Sequence, residues 1–367
     1  MESLEKTRLL KIFEGIKDPR IMRTKVHPLE SILGLGFLGA LAGIDSFLGL
    51  EDFGTAHEEE LSKVIPFPGG IPSHDTIGKL FSRIDVDVFH QCFFAFTESL
   101  KKKIGGVISV DGKTMKTSGK ENPLHIVSAW SEENSLVLGQ VKVGSKSNEI
   151  KAIPLLLEML DLDGHIVTID AIGCQKAIAE KIVNKDGDYL LALKANQKSL
   201  FEDVRDYFED KNILDEMSYW EELDKGHGRI EKRQCWVTSE ISWLKKHHSW
   251  VGLTTIAMVK SERNCKNKCG SDVRFYISSL PQDAERICRA ARMHWGIENK
   301  LHWTLDVVFN EDKCCIRKDN APEIMALMRK WALNTINATK GEKLSTKRAM
   351  AKCAMSMKYL FQVLTTI

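Results

Sequence analysis

Two short runs of sequence decide the fold: VISVD at residues 107–111 and HIVTID at residues 165–170. Both runs are rich in β-branched, apolar residues, which is typical of strands that are buried on both faces of a sheet. Each run ends in an aspartate that precedes a glycine-containing turn. A single aspartate in that position is most often a turn or capping residue. Two such aspartates, Asp111 and Asp170, indicate that one sheet brings two carboxylates close together.

A third acid lies much later in the chain. Glu298 belongs to the stretch MHWGIENKLHW (residues 293–303), which we interpret as helical. Two acids from strands and one from a helix form the kind of all-oxygen site that binds two divalent cations and catalyses phosphoryl transfer. His294 and His302 lie four residues before and after Glu298, so on an α-helix the three share one face. The other candidates for the third acid are Asp306, Glu311 and Asp312.

The histidines also support a rival interpretation of this site. Histidine and glutamate four residues apart on a helix can chelate zinc, which favours a metal-dependent hydrolase. Cys265 and Cys269 are weak candidates for a structural zinc site, because paired zinc ligands usually have a tighter spacing.

The order of predicted elements after residue 104 is β-β-β-α-β-α-β, which is the order of a ribonuclease-H-like fold. In that fold the first and fourth strands are neighbours, so Asp111 and Asp170 would lie within reach of one ion. We therefore predict an α/β protein whose ribonuclease-H-like core carries a helical N-terminal domain and a β-rich insertion. The predicted segments are the helical N-terminal domain (1–103), the first part of the core (104–218), the β-rich insertion (219–280), the Glu298 helix that completes the core (281–335) and a helical tail (336–367).

The composition is that of an ordinary globular protein, with 43% hydrophobic and 28% charged residues in a chain of 367. A formal net charge of +2 is too small to argue for a nucleic-acid partner. The nine cysteines are scattered and odd in number, and no secretory signal is evident, which favours reduced thiols in the cytoplasm. The apolar run 32–44 is shorter than the roughly 20 residues that a membrane span needs. We expect it to form a close-packed buried helix.

Longer motifs make the sequence recognisable. The runs VDGK (110–113), TIDA (168–171) and HWGIEN (294–299) closely resemble those of H repeat-associated, ISAs-type insertion-sequence transposases. The run GIPSHDT (70–76) resembles the domain that is associated with this family at its N-terminal side. The similarity extends over nearly the whole chain, with the motifs in the family's order.

The resemblance implies a DDE transposase, which cuts DNA at the ends of a mobile element and joins the 3′-hydroxyl to target DNA. By position, Asp111, Asp170 and Glu298 would be the catalytic residues and the ligands of Mg²⁺, for which Mn²⁺ would substitute. The implied partners are double-stranded DNA, namely the terminal repeats and the target, and a second copy of the chain. The implied location is the bacterial cytoplasm, on the nucleoid when DNA is bound. Many related enzymes carry arginine and lysine where this chain has His294 and Leu305.

Several polar and basic residues are candidates for contact with DNA. They lie beside the predicted strand ends, in the insertion, and around Glu298: Lys113, Lys194, Asn196, Gln197, His227, Arg229, Arg292, His294, Lys300 and His302. Trp295 and Trp303 either stack on a flipped base or pack in the core, and core packing is the more common role of a tryptophan on an amphipathic helix. Two other functions fit the same fold: an inactive relic that still binds DNA, and a structure-selective nuclease.

Overall fold

The computed structural model describes residues 11–13, 15–21, 25–102, 105–116, 118, 123–144, 149–226, 229–265, 268–341 and 343–365. The predicted DNA contact His227 lies outside these residues, as do the side chains of Arg229, Cys265 and Cys269. The predictions for those four side chains are therefore untested. No helix within the described ranges is long and apolar enough to cross a bilayer.

The N-terminal part is helical, as predicted. Its helices are α1 (Leu29–Leu41), α2 (Phe47–Ala56), α3 (Glu58–Leu61), α4 (His74–Phe81) and α5 (Val86–Leu100). The predicted buried helix is α1, in which every residue except Glu30 is buried. Its glycines allow close packing, because a Cβ atom at Gly39 would lie 2.1 Å from Cδ2 of Leu50. Helix α4 begins after a cap at Ser73, whose hydroxyl accepts a hydrogen bond from the Thr76 N–H.

One mixed sheet forms the centre of the protein, and in the described part of the chain it has nine strands in the order β3-β2-β1-β4-β5-β9-β8-β7-β6. The core strands are β1 (Gly106–Thr114), β2 (His125–Ser131), β3 (Leu136–Val143), β4 (His165–Ile169) and β5 (Asp188–Leu193). Strands β1 to β3 form an antiparallel meander, and β4 lies parallel between β1 and β5. The first and fourth strands are neighbours, which confirms the predicted ribonuclease-H-like order.

The insertion extends this sheet. Its strands are β6 (Ser218–Gly226), β7 (Arg229–Thr238), β8 (Thr255–Cys265) and β9 (Lys268–Ser278). Strand β9 pairs with β5, so a continuous ladder joins the insertion to the core. These strands contain more charged residues than their apolar segments suggest. Opposite charges pair between neighbouring strands, as Lys232 and Glu221 do on a diagonal of the β6–β7 ladder at 3.0 Å, and such pairs stabilise a sheet.

Helices cover both faces of the sheet. One face carries α6 (Glu149–Met159), α7 (Lys176–Val183), α8 (Lys198–Glu209), α9 (Lys211–Leu214) and α10 (Ser242–His247). The other face carries α11 (Ala284–Met293), which begins after a cap at Asp283, within the segment predicted for the Glu298 helix (281–335). Alternate residues of β1 pack against the helices on opposite faces of the sheet. Val107 packs on the α11 side and Ile108 on the other side.

The two ends of the chain share one hydrophobic core. A π-helical turn (Ile297–His302) leads into α12 (Trp303–Val307), which is followed by α13 (Ala321–Thr339), α14 (Thr346–Met355) and α15 (Met357–Thr365). In α13, Trp331 is fully buried. The aromatic rings that surround it come from the N-terminal part: Phe13, Phe37, Phe89, Phe93 and Phe96. The helical ends that are separate in sequence therefore pack as one unit.

Candidate active site

Strand pairing places the two aspartates side by side. In the parallel ladder between β1 and β4, Val110 is the partner of Ile169, so Asp111 and Asp170 follow at the same level. Asp170 follows the last residue of β4, as predicted. Asp111 does not end its strand, because β1 continues to Thr114 through its pairing with β2. We call these two residues the aspartate half of the site.

The loop after β4 holds Asp170 in place. Its Oδ1 accepts hydrogen bonds from the N–H groups of Ile172 at 3.0 Å and Gly173 at 3.4 Å. Two side chains that follow β5 donate hydrogen bonds to the backbone of this loop. The amide of Asn196 donates to the Ala171 carbonyl, and that of Gln197 donates to the Cys174 carbonyl at 2.9 Å. We predicted DNA contacts at both amides, whereas in the structure both bind the backbone next to Asp170.

The third acid lies on a π-helical turn and not on a regular α-helix. Glu298 and His302 both belong to the turn Ile297–His302, between α11 and α12. The Nδ1 atom of His302 lies 3.2 Å from Oε2 of Glu298 and 3.5 Å from Oδ2 of Asp111. We call Glu298 and His302 the glutamate half of the site. π-Turns within helices often occur at functional sites.

The groups around Asp111 and Glu298 affect the protonation of these two carboxylates. Burial raises the pKa of Asp111 to about 6, and the nearby charges of Asp170 and Glu298 raise it as well. His302 acts in the opposite direction on the Asp111 pKa. The hydrogen bond from His302 is the main reason that the pKa of Glu298 is lowered. The site therefore concentrates negative charge around one imidazole.

Ion pairs of Lys113 with Asp306 and Glu311 connect the glutamate half to β1, and we call them the Lys113 clasp. Lys113 extends from β1 to the segment after the π-turn, where its Nζ donates to Asp306 and, at 2.7 Å, to Glu311. Lys113 is largely buried and the Glu311 side chain is 2% exposed. Asp312 pairs with Lys116 at 3.2 Å. The three alternative candidates for the third acid thus all bind lysines, and the predicted DNA contact Lys113 lies within the protein.

The two histidines around Glu298 have different surroundings. His302 is 5% exposed and points to the carboxylates. His294 instead has its Nδ1 at 3.1 Å from the hydroxyl of Thr168 on β4. Burial lowers the pKa of His294 to about 4. Their spacing on an α-helix predicts a common face, whereas in the structure the two rings contact different partners.

The remaining predicted DNA contacts border the site. Lys194 is exposed and lines a cleft beside Asp170, and Arg292 lines a neighbouring pocket. The Nζ of Lys300 donates to Glu132. Trp295 packs under Arg274, whose guanidinium carbon is 4.6 Å from the ring centroid, whereas Trp303 is 56% exposed.

Sequence reasoning missed two residues at this site, Glu132 and Arg274. Glu132 binds Lys300 and also accepts a hydrogen bond from the Trp130 indole at 2.8 Å. A Cβ atom at Gly296 would lie 2.1 Å from the Glu132 carboxylate, which explains the glycine just before the π-turn. Arg274 lines the cleft beside Asp170. Both lie among other charged residues in turns or outer strands, so no local signal distinguishes them.

Comparisons with known proteins agree with this architecture. Residues 102–335 match the family model described as "Transposase DDE domain", and residues 10–97 match the one described as "DDE_Tnp_1-associated". The chain is 39% identical to "H repeat-associated putative transposase YhhI" of Escherichia coli (strain K12), with 98% of each chain covered. It is 40% identical to "Putative protein YbfL" of the same strain, again over 98% of each chain.

A solved structure is also similar, at a greater distance. It is described as "Cryo-EM structure of piggyBac transposase synaptic complex with hairpin DNA (SNHP)", and it has a TM-score of 0.47 and 12% sequence identity. The alignment covers 98% of this chain and 81% of that chain. At this distance the similarity carries no argument. The family matches and the full-length relatives show that this chain belongs to the transposase DDE domain family, among the H repeat-associated transposases.

Proposed function

We propose that this chain cuts DNA at the ends of an insertion element and joins the freed 3′-hydroxyl to target DNA. The observation that carries the proposal is the convergence of acids from three distant parts of the sequence. Asp111 and Asp170 are neighbours on paired strands, and His302 links Glu298 to Asp111. In this proposal the three acids are the catalytic residues. The names of the full-length relatives support transposition as the activity.

The donor set fits a divalent cation. The raised pKa of Asp111 reflects a buried carboxyl beside two further acids, and such clusters are stabilised when a cation supplies the missing positive charge. In this proposal Asp111, Asp170 and Glu298 hold Mg²⁺, for which Mn²⁺ substitutes. A bound ion of this kind stabilises charge on the phosphate and activates the attacking water or hydroxyl.

The protein itself positions the DNA and the acids. Lys194 is exposed in the cleft that contains Asp170, and Arg274 lines the same cleft, so both are proposed contacts to backbone phosphates. Asn196 and Gln197 have a structural role, because their amides donate hydrogen bonds to the loop that follows Asp170. We further propose that Arg292 and Lys300 contact the DNA and that two copies of the chain bind paired element ends.

The experiment is cleavage of double-stranded DNA that carries the element's own flanking repeats, in the presence of Mg²⁺. Wild type is compared with Glu298→Gln and with Glu180→Gln, in which the same change is made to an exposed glutamate on α7. We expect wild type and Glu180→Gln to nick at the repeat ends and to join those ends to a target, and Glu298→Gln to bind without cutting.

The other outcomes each contradict the proposal. Binding without cleavage by all three proteins would indicate a relic DNA-binding protein. Cutting of branched DNA without any joining of ends would indicate a nuclease. Equal cleavage by wild type and Glu298→Gln would remove Glu298 from the catalytic set.

A further inference from the structure

His302 is placed as a ligand and not only as a neighbour of the acids. One oxygen each of Asp111 and Glu298 and one ring nitrogen of His302 all lie within 4.8 Å of one another. The Nδ1 distances to the two oxygens are 3.2 and 3.5 Å. An octahedral ion with bonds of about 2.1 Å has neighbouring ligand atoms about 3 Å apart and opposite ones about 4.2 Å apart. Both Nδ1 distances are therefore close to the spacing of neighbouring ligand atoms in a coordination shell.

Burial of the imidazole supports this role. His302 is 5% exposed, and its far nitrogen, Nε2, has no hydrogen-bond partner among the described residues. Among the described residues, only Nδ1 of this ring has polar partners, namely the carboxylates of Asp111 and Glu298. The ring is held by packing within the π-turn, and its Nδ1 faces the carboxylates.

Asp170 differs from the other two acids in its bonding. Its Oδ1 is already used by the backbone N–H groups of Ile172 and Gly173. Within the described residues it does not join the group of Asp111, Glu298 and His302. The compact group thus contains two oxygen donors and one nitrogen donor, and not three carboxylates.

We propose that His302 is a metal ligand, and that Asp111, Glu298 and His302 form a site that prefers a divalent transition-metal ion, such as Mn²⁺, over Mg²⁺. Mg²⁺ prefers oxygen ligands and parts with its water reluctantly, whereas transition-metal ions accept imidazole nitrogen readily. The proposal rests on the proposed function, since it concerns the ion of the same site. It adds His302 to the acids as a ligand, and it makes Mn²⁺ rather than Mg²⁺ the preferred ion.

The test measures metal binding directly. Full-length wild type, His302→Gln and His294→Gln are titrated with Mn²⁺, free Mn²⁺ is followed by electron paramagnetic resonance, and Mg²⁺ is then added as a competitor. His294→Gln is the matched control, because His294 also lies four residues from Glu298 but contacts Thr168. Pulsed measurements on bound Mn²⁺ detect coupling to a coordinated imidazole nitrogen. Thermal unfolding without metal shows whether each variant is folded.

We expect His302→Gln to lower the preference for Mn²⁺ over Mg²⁺ by about 10-fold and to remove the nitrogen coupling. His294→Gln should retain both. An unchanged preference together with an unchanged coupling in a folded His302→Gln protein would overturn the inference, and so would wild-type Mn²⁺ without nitrogen coupling. Neither result contradicts the proposed function, provided that the wild type still cleaves its repeats with Mg²⁺. Failure of the proposed function would instead appear as no metal-dependent cleavage by the wild type.

Discussion

The aspartate half and the glutamate half of the site are held together by different forces. Asp111 and Asp170 belong to paired strands whose backbone hydrogen bonds and apolar faces fix their positions. Glu298 and His302 lie on a π-turn that is fastened by charged pairs, namely the Lys113 clasp and the bond from Lys300 to Glu132. The first arrangement depends on many small contributions. The second depends on a few charged pairs, so single substitutions should displace it more easily.

The largest effect should come from removing a charge in the aspartate half without disturbing its scaffold. Asp170→Asn keeps an oxygen that can accept the N–H groups of Ile172 and Gly173, so the loop should stay in place. We expect cleavage to fall on the order of 10³-fold, because several kcal/mol of charge stabilisation are lost. DNA affinity should change little. Cleavage assays and filter binding on the same repeat DNA check this, and near-normal cleavage would contradict our assignment of Asp170.

Breaking the clasp of the glutamate half should have the next largest effect. Lys113→Met leaves Glu311 buried without its partner, which we expect to lower the free energy of unfolding by about 3 to 5 kcal/mol. Cleavage should fall as well, because the segment after the π-turn loses its connection to β1. Chemical denaturation and the cleavage assay measure the two effects.

Two further variants sharpen this prediction. Lys116→Met removes an exposed lysine that pairs with Asp312, and it should change stability by no more than about 0.5 kcal/mol. The double variant Lys113→Met with Glu311→Leu removes both buried charges, so it should recover most of the stability but not the cleavage. Equal losses for Lys113→Met and Lys116→Met would show that the clasp does not matter.

A smaller effect on cleavage is expected from the side chains that support the loop after Asp170. Asn196→Ala removes one hydrogen bond to the Ala171 carbonyl, and a loss of about 1 kcal/mol in positioning corresponds to roughly fivefold slower cleavage. Lys194→Ala, two residues earlier, should instead weaken DNA binding and reduce its salt dependence by about one counterion. Binding measured across salt concentrations distinguishes the two. A lower salt slope for Asn196→Ala would mean that its amide contacts phosphate.

The aspartate half was predictable because its information is local. The apolar runs that lead to Asp111 and Asp170, and the order of strands and helices between them, indicate both the sheet and the neighbouring position of the two acids. The β-rich insertion was predicted as a segment, but the extent of its strands was not. Charged residues such as Lys232 interrupt the apolar runs, and only the folded sheet shows that Lys232 pairs with Glu221 on the next strand.

The glutamate half was only partly predictable. An α-helical period places His294, Glu298 and His302 on one face, but the π-turn changes the phase, and a short sequence carries no signal for that change. Lys113 was a candidate for contact with DNA because it lies two residues after Asp111. Its partners in the structure, Asp306 and Glu311, are 193 and 198 residues away in sequence, so only the folded chain reveals them.

The position of Trp331 has a consequence for biosynthesis. The phenylalanines that surround it lie between residues 13 and 96, so they leave the ribosome long before the indole that completes their cluster. At roughly 5 to 20 residues per second, translation separates Phe96 from Trp331 by about 10 to 50 s. During that interval the N-terminal helices lack their central contact. A nascent chain stalled short of Trp331 should expose these rings to chaperones and proteases, and limited proteolysis of such stalled chains would detect it.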